Sequence, residues 1–398
     1  MDEMQKPLSG IKVVDLTLAG SGPSCTKLLA EYGAQVIWVE PLWGTSTRTV
    51  HKYDFYTTGK RAVTLNLKTP EGREILDRIL KDSDVLVTNY RPQALEHLRL
   101  TYAKVYALHP QIIFASLTGY GEYGPDANKP GYDAVSFWAR GGLLSDIAEK
   151  GSLVVPPVAI GDITTGLTLF GGICAALYQR KETGKGCHVS TSLLAAAIYL
   201  NHDALVEVQY GEEYPKQRTH PRRSLFNTYQ CRDGKWIAIA VIADFKKYFN
   251  PLLSAVGLTH LIGDPRWQSL DDTMYENAPE LVSILDEAFS KMTQDEAIQA
   301  LNAIDVPVSR VQATQDLLQD PQVLANKYIY PLEATTPPSE NQKEILVPSS
   351  PIKFNTPDSG TIGHQKGPKL GEHTVEILRE YGFSEQEIQN MRNKKIFM

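Results

Sequence analysis

Short apolar runs alternate with amphipathic stretches through the first third of the chain. Four runs have the length and β-branched content of buried strands, and they are residues 11–16, 36–40, 84–89 and 111–121. Three stretches between them carry apolar residues on one helical face, namely residues 23–33, 69–83 and 102–110. Strands that alternate with helices predict an α/β fold with a doubly wound, mostly parallel sheet, in which ligands bind at the strand-end loops.

The pattern changes in the second half of the chain. Residues 225–242 alternate strongly around Asp233-Gly234, which indicates a β-hairpin, and helical stretches follow at 244–256 and 278–302. We therefore predict a smaller α+β domain after the large α/β domain of the first half of the chain. The predicted segments are 1–204 for the first part of the large domain, 205–225 for a linker, 226–325 for the small domain, and 326–398 for a return linker and the rest of the large domain.

The last part of the chain returns to regular structure. Residues 344–355 have an extended pattern, and residues 369–393 have the pattern of two short helices. Gly382 separates these two helices, and Ser384 is the expected cap of the second.

Composition narrows the class of protein. The chain has 398 residues, of which 42% are hydrophobic and 22% charged, with a net charge of −6, so we expect a globular enzyme rather than a nucleic-acid binder. None of its four cysteines lies in a CxxC pair, which argues against a metal site and a disulfide framework. The N-terminal residues do not resemble a signal peptide, and we find no apolar run of about 20 residues. A cytoplasmic protein without membrane contact is expected.

One carboxylate stands at the start of the longest apolar helical pattern. Asp162 follows Gly161 and precedes apolar residues with helical spacing up to Leu177. As the N-cap of this helix, Asp162 would accept a hydrogen bond from a free amide of the first turn. A carboxylate at a helix N-terminus also stays ionised, and nearby glycines admit a large substrate, so the same position suits a covalent nucleophile. Composition does not decide between the two interpretations.

A second motif imitates a dinucleotide-binding loop. Residues 20–25, GSGPSC, lie between a predicted strand and a predicted helix, and the acidic Glu40 ends the next strand. Cys25 stands where the third glycine belongs, and Pro23 stiffens the turn. Nicotinamide binding is therefore a minor alternative, although the turn can still bring a nucleotide phosphate to the helix N-terminus.

Eight segments resemble, in the expected order, the class III CoA-transferases, typified by formyl-CoA and carnitine CoA-transferases. They include the motifs VVDLTLAGSGPSC, LNLKTPEG, TNYRP, LTGYGEYGP, GYDAVSFWARGG, VAIGDITTG and LGEHTVEIL, and together they span nearly the whole chain. The resemblance implies a large nucleotide-type α/β domain formed by both chain ends, with the small domain inserted between them, and a homodimer of two interlocked chains. It also implies coenzyme A thioesters and small carboxylic acids as substrates, and no permanently bound cofactor or metal.

The resemblance also implies a reaction at Asp162. Its carboxylate would attack the acyl-CoA carbonyl to give an anhydride and a CoA thiolate. The thiolate would then attack the aspartyl carbonyl, leaving an aspartyl-CoA thioester that passes CoA to an incoming acid. Such a relay suits two carboxylates, because two anions do not react with each other directly and a free anhydride would hydrolyse.

The family places CoA along the loops after the first strands. The corresponding positions in this chain are Ala19, Gly20, Leu65, Asn66, Lys68, Asn89, Tyr90, Arg91, His97 and Tyr132. Lys60 and Arg61 lie close by in sequence, and we expect lysines and arginines in this region to neutralise phosphates. His97 stands where some members have an arginine that contacts the nucleotide.

Tyr132 helps to separate transferases from a related activity. The family's acyl-CoA racemases resemble this chain but look as if they need a histidine at position 132 to move a proton, and a phenol is a poor replacement. Racemase or isomerase activity is therefore the alternative. The bulky Phe137 and Trp138, with Arg140, are candidates for the lining of the substrate pocket. Core packing is the alternative for at least one of the two aromatic residues, and a pair with a structural acid is the alternative for Arg140. FWARGG and GYGEYGPD look most similar to the branch that acts on phenyllactate and 2-hydroxyisocaproate.

Overall fold

The computed structural model describes residues 5–148, 152–156, 159–355 and 365–398. Its strands are β1 Lys12–Leu16, β2 Gln35–Glu40, β3 Arg61–Thr64, β4 Val85–Thr88, β5 Ile113–Thr118, β6 His188–Ser192, β7 Phe226–Gln230, β8 Trp236–Ala240, β9 Val308–Arg310, β10 Ile329–Glu333 and β11 Glu344–Pro348. Its α-helices are α1 Ser21–Glu31, α2 Tyr53–Thr57, α3 Pro70–Lys81, α4 Pro92–His97, α5 Tyr102–Leu108, α6 Leu143–Ile147, α7 Ile160–Thr183, α8 Leu193–Leu200, α9 His202–Glu207, α10 Phe245–Ala255, α11 Ala278–Phe289, α12 Gln294–Asn302, α13 Pro321–Ala325, α14 Thr374–Glu380 and α15 Glu385–Asn393.

The chain divides into two compact units. The larger unit comprises Met1–Leu144, Val154–Gln209 and Pro321–Met398, and the smaller comprises Ser145–Leu153 and Tyr210–Asp320. Both chain ends thus contribute to the larger unit, as a discontinuous domain requires.

A six-stranded parallel sheet forms the centre of the larger unit. Its strand order is β3-β2-β1-β4-β5-β6, and every neighbouring pair is parallel. The predicted parallel α/β sheet is therefore confirmed. The order reverses between β1 and β4, and parallel sheets of this kind form their ligand crevice there, beyond the carboxyl ends of the strands.

Two strands of this sheet were not predicted. β3 has only four residues, and β6 reads HVSTS with a single apolar side chain, Val189. Both lie at the sheet edges, where one neighbour is missing and the apolar pattern that marks a buried strand is weak.

The smaller unit has its own sheet and core. β7 and β8 form the predicted antiparallel hairpin, with Gly234 in its turn at a positive φ, and β9 pairs with β8. The predicted helical stretch 278–302 is two helices, α11 and α12, and Thr293 and Glu296 form a capping box at the start of the second.

Helix α7 departs from one expectation. It is long and apolar enough, by length and composition, to cross a membrane, whereas the sequence pattern indicated no such run. In this structure α7 packs against α1, β5 and β6. About a third of its most apolar window is buried.

One buried carboxylate organises the turn between β1 and α1. Asp15 is fully buried, and Oδ1 accepts hydrogen bonds from the amide and hydroxyl of Thr17 at 2.9 and 2.6 Å. Oδ2 accepts from Thr26 Oγ1 at 2.6 Å and pairs with Lys60 Nζ at 3.0 Å. Lys60 Nζ also donates to Pro23 O at 3.2 Å, so strand, turn and helix are tied to one ion pair.

We predict that Lys60→Met strongly destabilises the larger unit. The substitution leaves the fully buried Asp15 carboxylate without its cation, which typically costs about 3–5 kcal/mol. Lys104→Met is the matched control, because Lys104 pairs with Glu96 at the surface and such pairs contribute less than about 1 kcal/mol. Urea unfolding followed by circular dichroism measures both, and equal midpoints for the two variants would contradict the assigned importance of the buried pair.

Candidate active site

Close packing of α1 against α7 brings two chain segments together. A Cβ atom at Gly166 of α7 would overlap Ser24 Oγ and approach Ser21 O of α1, so only glycine allows this approach. One turn earlier on α7, the Asp162 side chain reaches the start of α1. Ser21 Oγ donates a hydrogen bond to Asp162 Oδ1 at 2.6 Å, and a Cβ atom at Gly20 would overlap Asp162 Oδ2.

Asp162 is not the N-cap of its helix. Helix α7 begins at Ile160, its N-cap is Ala159 at φ 79°, and no side chain caps it. The cap interpretation is therefore wrong, and the Asp162 side chain is directed to α1 instead. Its own backbone amide donates to Asp133 Oδ2 at 2.9 Å, so another acid satisfies one of the free amides of the first turn.

The surroundings of Asp162 shift its acidity. Burial raises the pKa of the Asp162 carboxyl above its usual range, and the neighbouring charge of Asp133 acts in the same direction. The hydrogen bond from Ser21 and the charge of Lys52 lower the pKa of Asp162 and partly offset that rise. A partly desolvated carboxylate is a stronger nucleophile than a fully hydrated one, so these surroundings suit covalent chemistry.

Asp162 opens onto a cleft of about 290 Å³ beyond the carboxyl ends of β1, β4 and β5. Its lining includes five other predicted site residues, which are Ala19, Asn89, Tyr90, Arg91 and Tyr132. Asn89 has a clear structural role, because its Nδ2 donates to Leu18 O at 2.6 Å and its Oδ1 accepts from Leu18 N at 2.9 Å. This pair of bonds fixes the backbone just before Ala19, which itself has a positive φ of 63°.

A neighbouring cleft of about 700 Å³ shares Leu18 and Tyr90 with the first. Its lining includes the predicted residues Leu65, Asn66 and Lys68, and its rim carries Trp43, which is 80% exposed. The two clefts follow the ends of β3, β2, β1 and β4 in turn. An elongated ligand with a negatively charged end fits such a path, because the exposed Lys68 lies at the far end of the path.

A third cavity of about 520 Å³ lies beside the same helix. It is lined by Ile163 and Leu167 of α7, by Lys52, Phe55 and Tyr56 around α2, and by residues of β11. A buried ion pair between Lys27 and Glu31 forms another part of its wall. Its volume is typical of small-ligand pockets, which span about 300–1,000 Å³.

The structure places four other predicted residues outside these clefts. Phe137 is fully buried and packs against Gly161, and Trp138 lies in the same small core with Leu193. Arg140 is exposed and pairs with Asp126 at 3.1 Å, and His97 is exposed at the end of α4. Phe137 thus packs against the start of α7, whereas it was expected to line the substrate pocket.

Two cations expected near phosphates, Lys60 and Arg61, have other partners. Lys60 is buried against Asp15, and Arg61 pairs with Glu376 and Glu380 of α14. Both lie at or before the beginning of β3, away from the strand ends that form the clefts. In the smaller unit, Arg218 makes a two-pronged ion pair with Asp286.

Sequence reasoning missed three residues that act on Asp162. Ser21, Asp133 and Lys52 lie 141, 29 and 110 positions away along the chain, and only folding brings them to the carboxylate. Two of the three lay in motifs that the sequence singles out, Asp133 in GYD beside Tyr132 and Ser21 in GSGPSC. Within the described residues, no group of three or more His, Cys, Asp or Glu side chains is placed to hold a metal.

Comparison with known proteins gives a consistent result. A model of the family described as CoA-transferase family III matches residues 8–374. The (R)-2-hydroxy-4-methylpentanoate CoA-transferase of Clostridioides difficile is 34% identical, with 98% of this chain and 99% of the relative covered. The cinnamoyl-CoA:phenyllactate CoA-transferase of Clostridium sporogenes is 31% identical, with 100% and 99% covered.

Solved structures have the same fold. A CAIB/BAIF family protein from Brucella suis superposes with a TM-score of 0.77 at 28% identity, covering 95% of this chain and 100% of that one. Rv3272 from M. tuberculosis gives a TM-score of 0.81 at 25% identity, covering 94% and 99%. Because the family match spans nearly the whole chain and the relatives are similar from end to end, this protein belongs to CoA-transferase family III.

Proposed function

We propose that this protein moves CoA between an acyl-CoA and a carboxylic acid through covalent intermediates on Asp162. The carboxylate attacks the thioester carbon, a C–O bond forms, and CoA leaves as the thiolate. The thiolate then attacks Cγ of Asp162, a C–S bond forms, and the first acid leaves. The incoming acid then attacks Cγ of the thioester, a C–O bond forms, and the CoA thiolate leaves again. The thiolate attacks the acyl carbon of the new anhydride, which releases the new acyl-CoA and restores the Asp162 carboxylate without a net proton transfer.

One observation carries this proposal. Asp162 is the carboxylate that lies on the cleft beyond the parallel strands, partly desolvated and held by Ser21. Gly20, Gly119 and Gly131 surround this cleft or its carboxylate at positions where a Cβ atom would overlap a neighbour. Glycine at these positions lets the backbone around the cleft pack closely against the carboxylate and against itself.

We place CoA along the two connected clefts. The pantetheine chain would lie past Ala19, Asn89 and Tyr132, and the nucleotide end would lie near Asn66 and Lys68. The lysine supports this orientation, because its exposed ammonium suits a phosphate. The other proposed CoA neighbours are Gly20, Leu65, Tyr90, Arg91 and His97.

We place the organic part of the transferred acid in the cavity next to Asp162. Its walls are largely apolar, and Lys52 supplies a cation whose charge already acts on the Asp162 carboxylate. These features suit a hydrophobic acid with one carboxylate. The relatives named for 2-hydroxy-4-methylpentanoate and for phenyllactate support 2-hydroxy acids and their 2-enoyl counterparts as the substrate class.

We further propose that the enzyme is a cytoplasmic homodimer. α7, α8 and α9 leave several large apolar side chains uncovered, including Tyr178, Tyr199 and Leu205. Exposed apolar surface of this extent typically marks a protein interface. The four cysteines are free thiols, which agrees with a reducing compartment.

The dimer proposal predicts a mass of twice 44.2 kDa in solution. Light scattering coupled to size-exclusion chromatography measures this mass. Leu205→Glu places a charge in the uncovered apolar surface and should shift the population toward monomer, while Glu182→Lys at the exposed end of α7 should leave it unchanged. A monomeric wild-type protein would contradict the proposed dimer.

Replacing the nucleophile should abolish transfer without abolishing binding. We expect Asp162→Ala to lower kcat by at least about 10⁴-fold, as loss of a covalent nucleophile does, while CoA affinity changes by less than about threefold. Transfer assays and calorimetric titration with CoA measure the two quantities. Activity within about tenfold of wild type would remove Asp162 as the nucleophile.

Substitution of each of two lysines should affect the KM of a different substrate. Lys52→Met removes the cation beside the acid cavity, so we expect KM for the free acid to rise by about tenfold with little change for the acyl-CoA. Lys68→Met removes the proposed phosphate contact and should have the opposite pattern. Initial-rate kinetics with each substrate varied in turn give both values. The same change in both substrates for both variants would contradict the assignment of separate sites.

A further inference from the structure

The two oxygens of the Asp162 carboxylate have different surroundings. Oδ1 accepts a hydrogen bond of 2.6 Å from the hydroxyl of Ser21, a side chain that is 5% exposed. Oδ2 lies against the α-carbon of Gly20, where a Cβ atom would overlap it. Within the described residues Oδ2 accepts no hydrogen bond, so a carboxylate that is held at Oδ1 is prepared to react through Oδ2.

We infer that Asp162 attacks through Oδ2, and that Ser21 binds Oδ1 as the carbonyl oxygen of the aspartyl anhydride and of the aspartyl-CoA thioester. Ser21 is then a catalytic residue, because it contacts a reacting carboxylate oxygen throughout the cycle. This inference rests on the proposed function, since it requires a covalent intermediate on Asp162.

The anhydride has two carbonyl groups, and the CoA thiolate can attack either of them. Attack at the acyl carbon breaks the bond to Oδ2 and regenerates the starting acyl-CoA and the free Asp162 carboxylate. Attack at Cγ puts the negative charge on Oδ1, after which collapse expels the acid through Oδ2 and leaves the aspartyl-CoA thioester. Only the second attack completes transfer, so the enzyme needs a means of favouring Cγ.

The Ser21 hydroxyl supplies that preference. Negative charge develops on Oδ1 only when Cγ is attacked, and a hydrogen-bond donor already directed at Oδ1 stabilises that charge. Removing one such donor typically costs about 10²–10³-fold in kcat. By the same reasoning Ser21 assists the attack of the second acid on the thioester, which also places charge on Oδ1.

The fold fixes this donor in place. Ser24 Oγ donates to Ser21 O at 2.7 Å, and Gly166 of α7 packs against both residues. The buried pair of Asp15 and Lys60 also fixes this segment, through hydrogen bonds to Thr17, Pro23 and Thr26. A donor that is positioned before the reaction begins needs little reorganisation when the charge appears.

Hydroxylamine tests the inference, because it can attack either carbonyl. Attack at Cγ of the anhydride or of the thioester leaves a hydroxamate on the protein, which intact-protein mass spectrometry quantifies. Attack at the acyl carbon releases an acyl hydroxamate, which the ferric complex quantifies after subtraction of the Asp162→Ala background. The ratio of the two products does not depend on the fraction of folded enzyme, since both come from intermediates that only folded enzyme forms.

We expect Ser21→Ala to lower the ratio of protein hydroxamate to acyl hydroxamate by about tenfold or more. Ser21→Thr, which keeps a hydroxyl, should restore much of the ratio. Thr165→Val is the matched control, because that hydroxyl donates to Gly161 O within the same helix and does not contact the carboxylate. An unchanged ratio in Ser21→Ala, with protein hydroxamate formed normally in wild type, would overturn the role of Ser21 and leave Asp162 as nucleophile. No protein hydroxamate in wild type would instead overturn the proposed function.

The pH profile gives a second readout. The Ser21 hydrogen bond favours the ionised form and lowers the pKa of Asp162, so its loss should move the acid limb of kcat/KM to higher pH. Activity requires the carboxylate and is lost as pH falls through that pKa. An acid limb at the wild-type position in Ser21→Ala would contradict the assigned contact.

Discussion

The buried ion pair between Asp15 and Lys60 is the constraint on which the active site depends. Asp15 lies near the end of β1, and its two oxygens fix Thr17 and Thr26 as well as the lysine. The turn between these threonines contains Gly20 and Ser21, which contact Asp162. A charge fully removed from water is costly unless it is completely paired, so the network either forms as a whole or strongly destabilises the fold. The position of the Asp162 carboxylate therefore depends on an ion pair that does not itself contact Asp162.

The packing of α1 on α7 fixes the position of Asp162. Gly166 allows the two helices to approach each other, and the Phe137 side chain packs closely against Gly161. Asp162 is held between these two contacts at the start of α7, with its carboxylate facing α1. Burial raises the pKa of Asp162, and the Ser21 hydroxyl opposes that rise. The site thus balances a desolvated, reactive carboxylate against one that still ionises.

The sequence predicted the parts of this structure that depend on local pattern. The strands at the centre of the sheet, the hairpin at Gly234, and the cap at Ser384 all follow from periodicity or turn chemistry. The edge strands β3 and β6 escaped because they have few apolar residues. Lys60 was expected to face phosphates because it precedes LNLK, but its pairing with Asp15 spans 45 positions and leaves no local trace.

The same limit explains why Asp162 was located from the sequence and Ser21 was not. The motif GDITTG identifies the carboxylate because resemblance is read along the chain, whereas the choice between Oδ1 and Oδ2 is made by a residue 141 positions away. In the proposed mechanism the hydrogen bond to Oδ1 favours attack of the thiolate at Cγ, which takes the anhydride forward instead of returning it to the starting acyl-CoA. A family motif therefore points to the proposed nucleophile, while Ser21 at the start of α1 is proposed to determine how that carboxylate reacts. Substitutions at position 21 are accordingly expected to change how the proposed anhydride divides between attack at Cγ and attack at the acyl carbon.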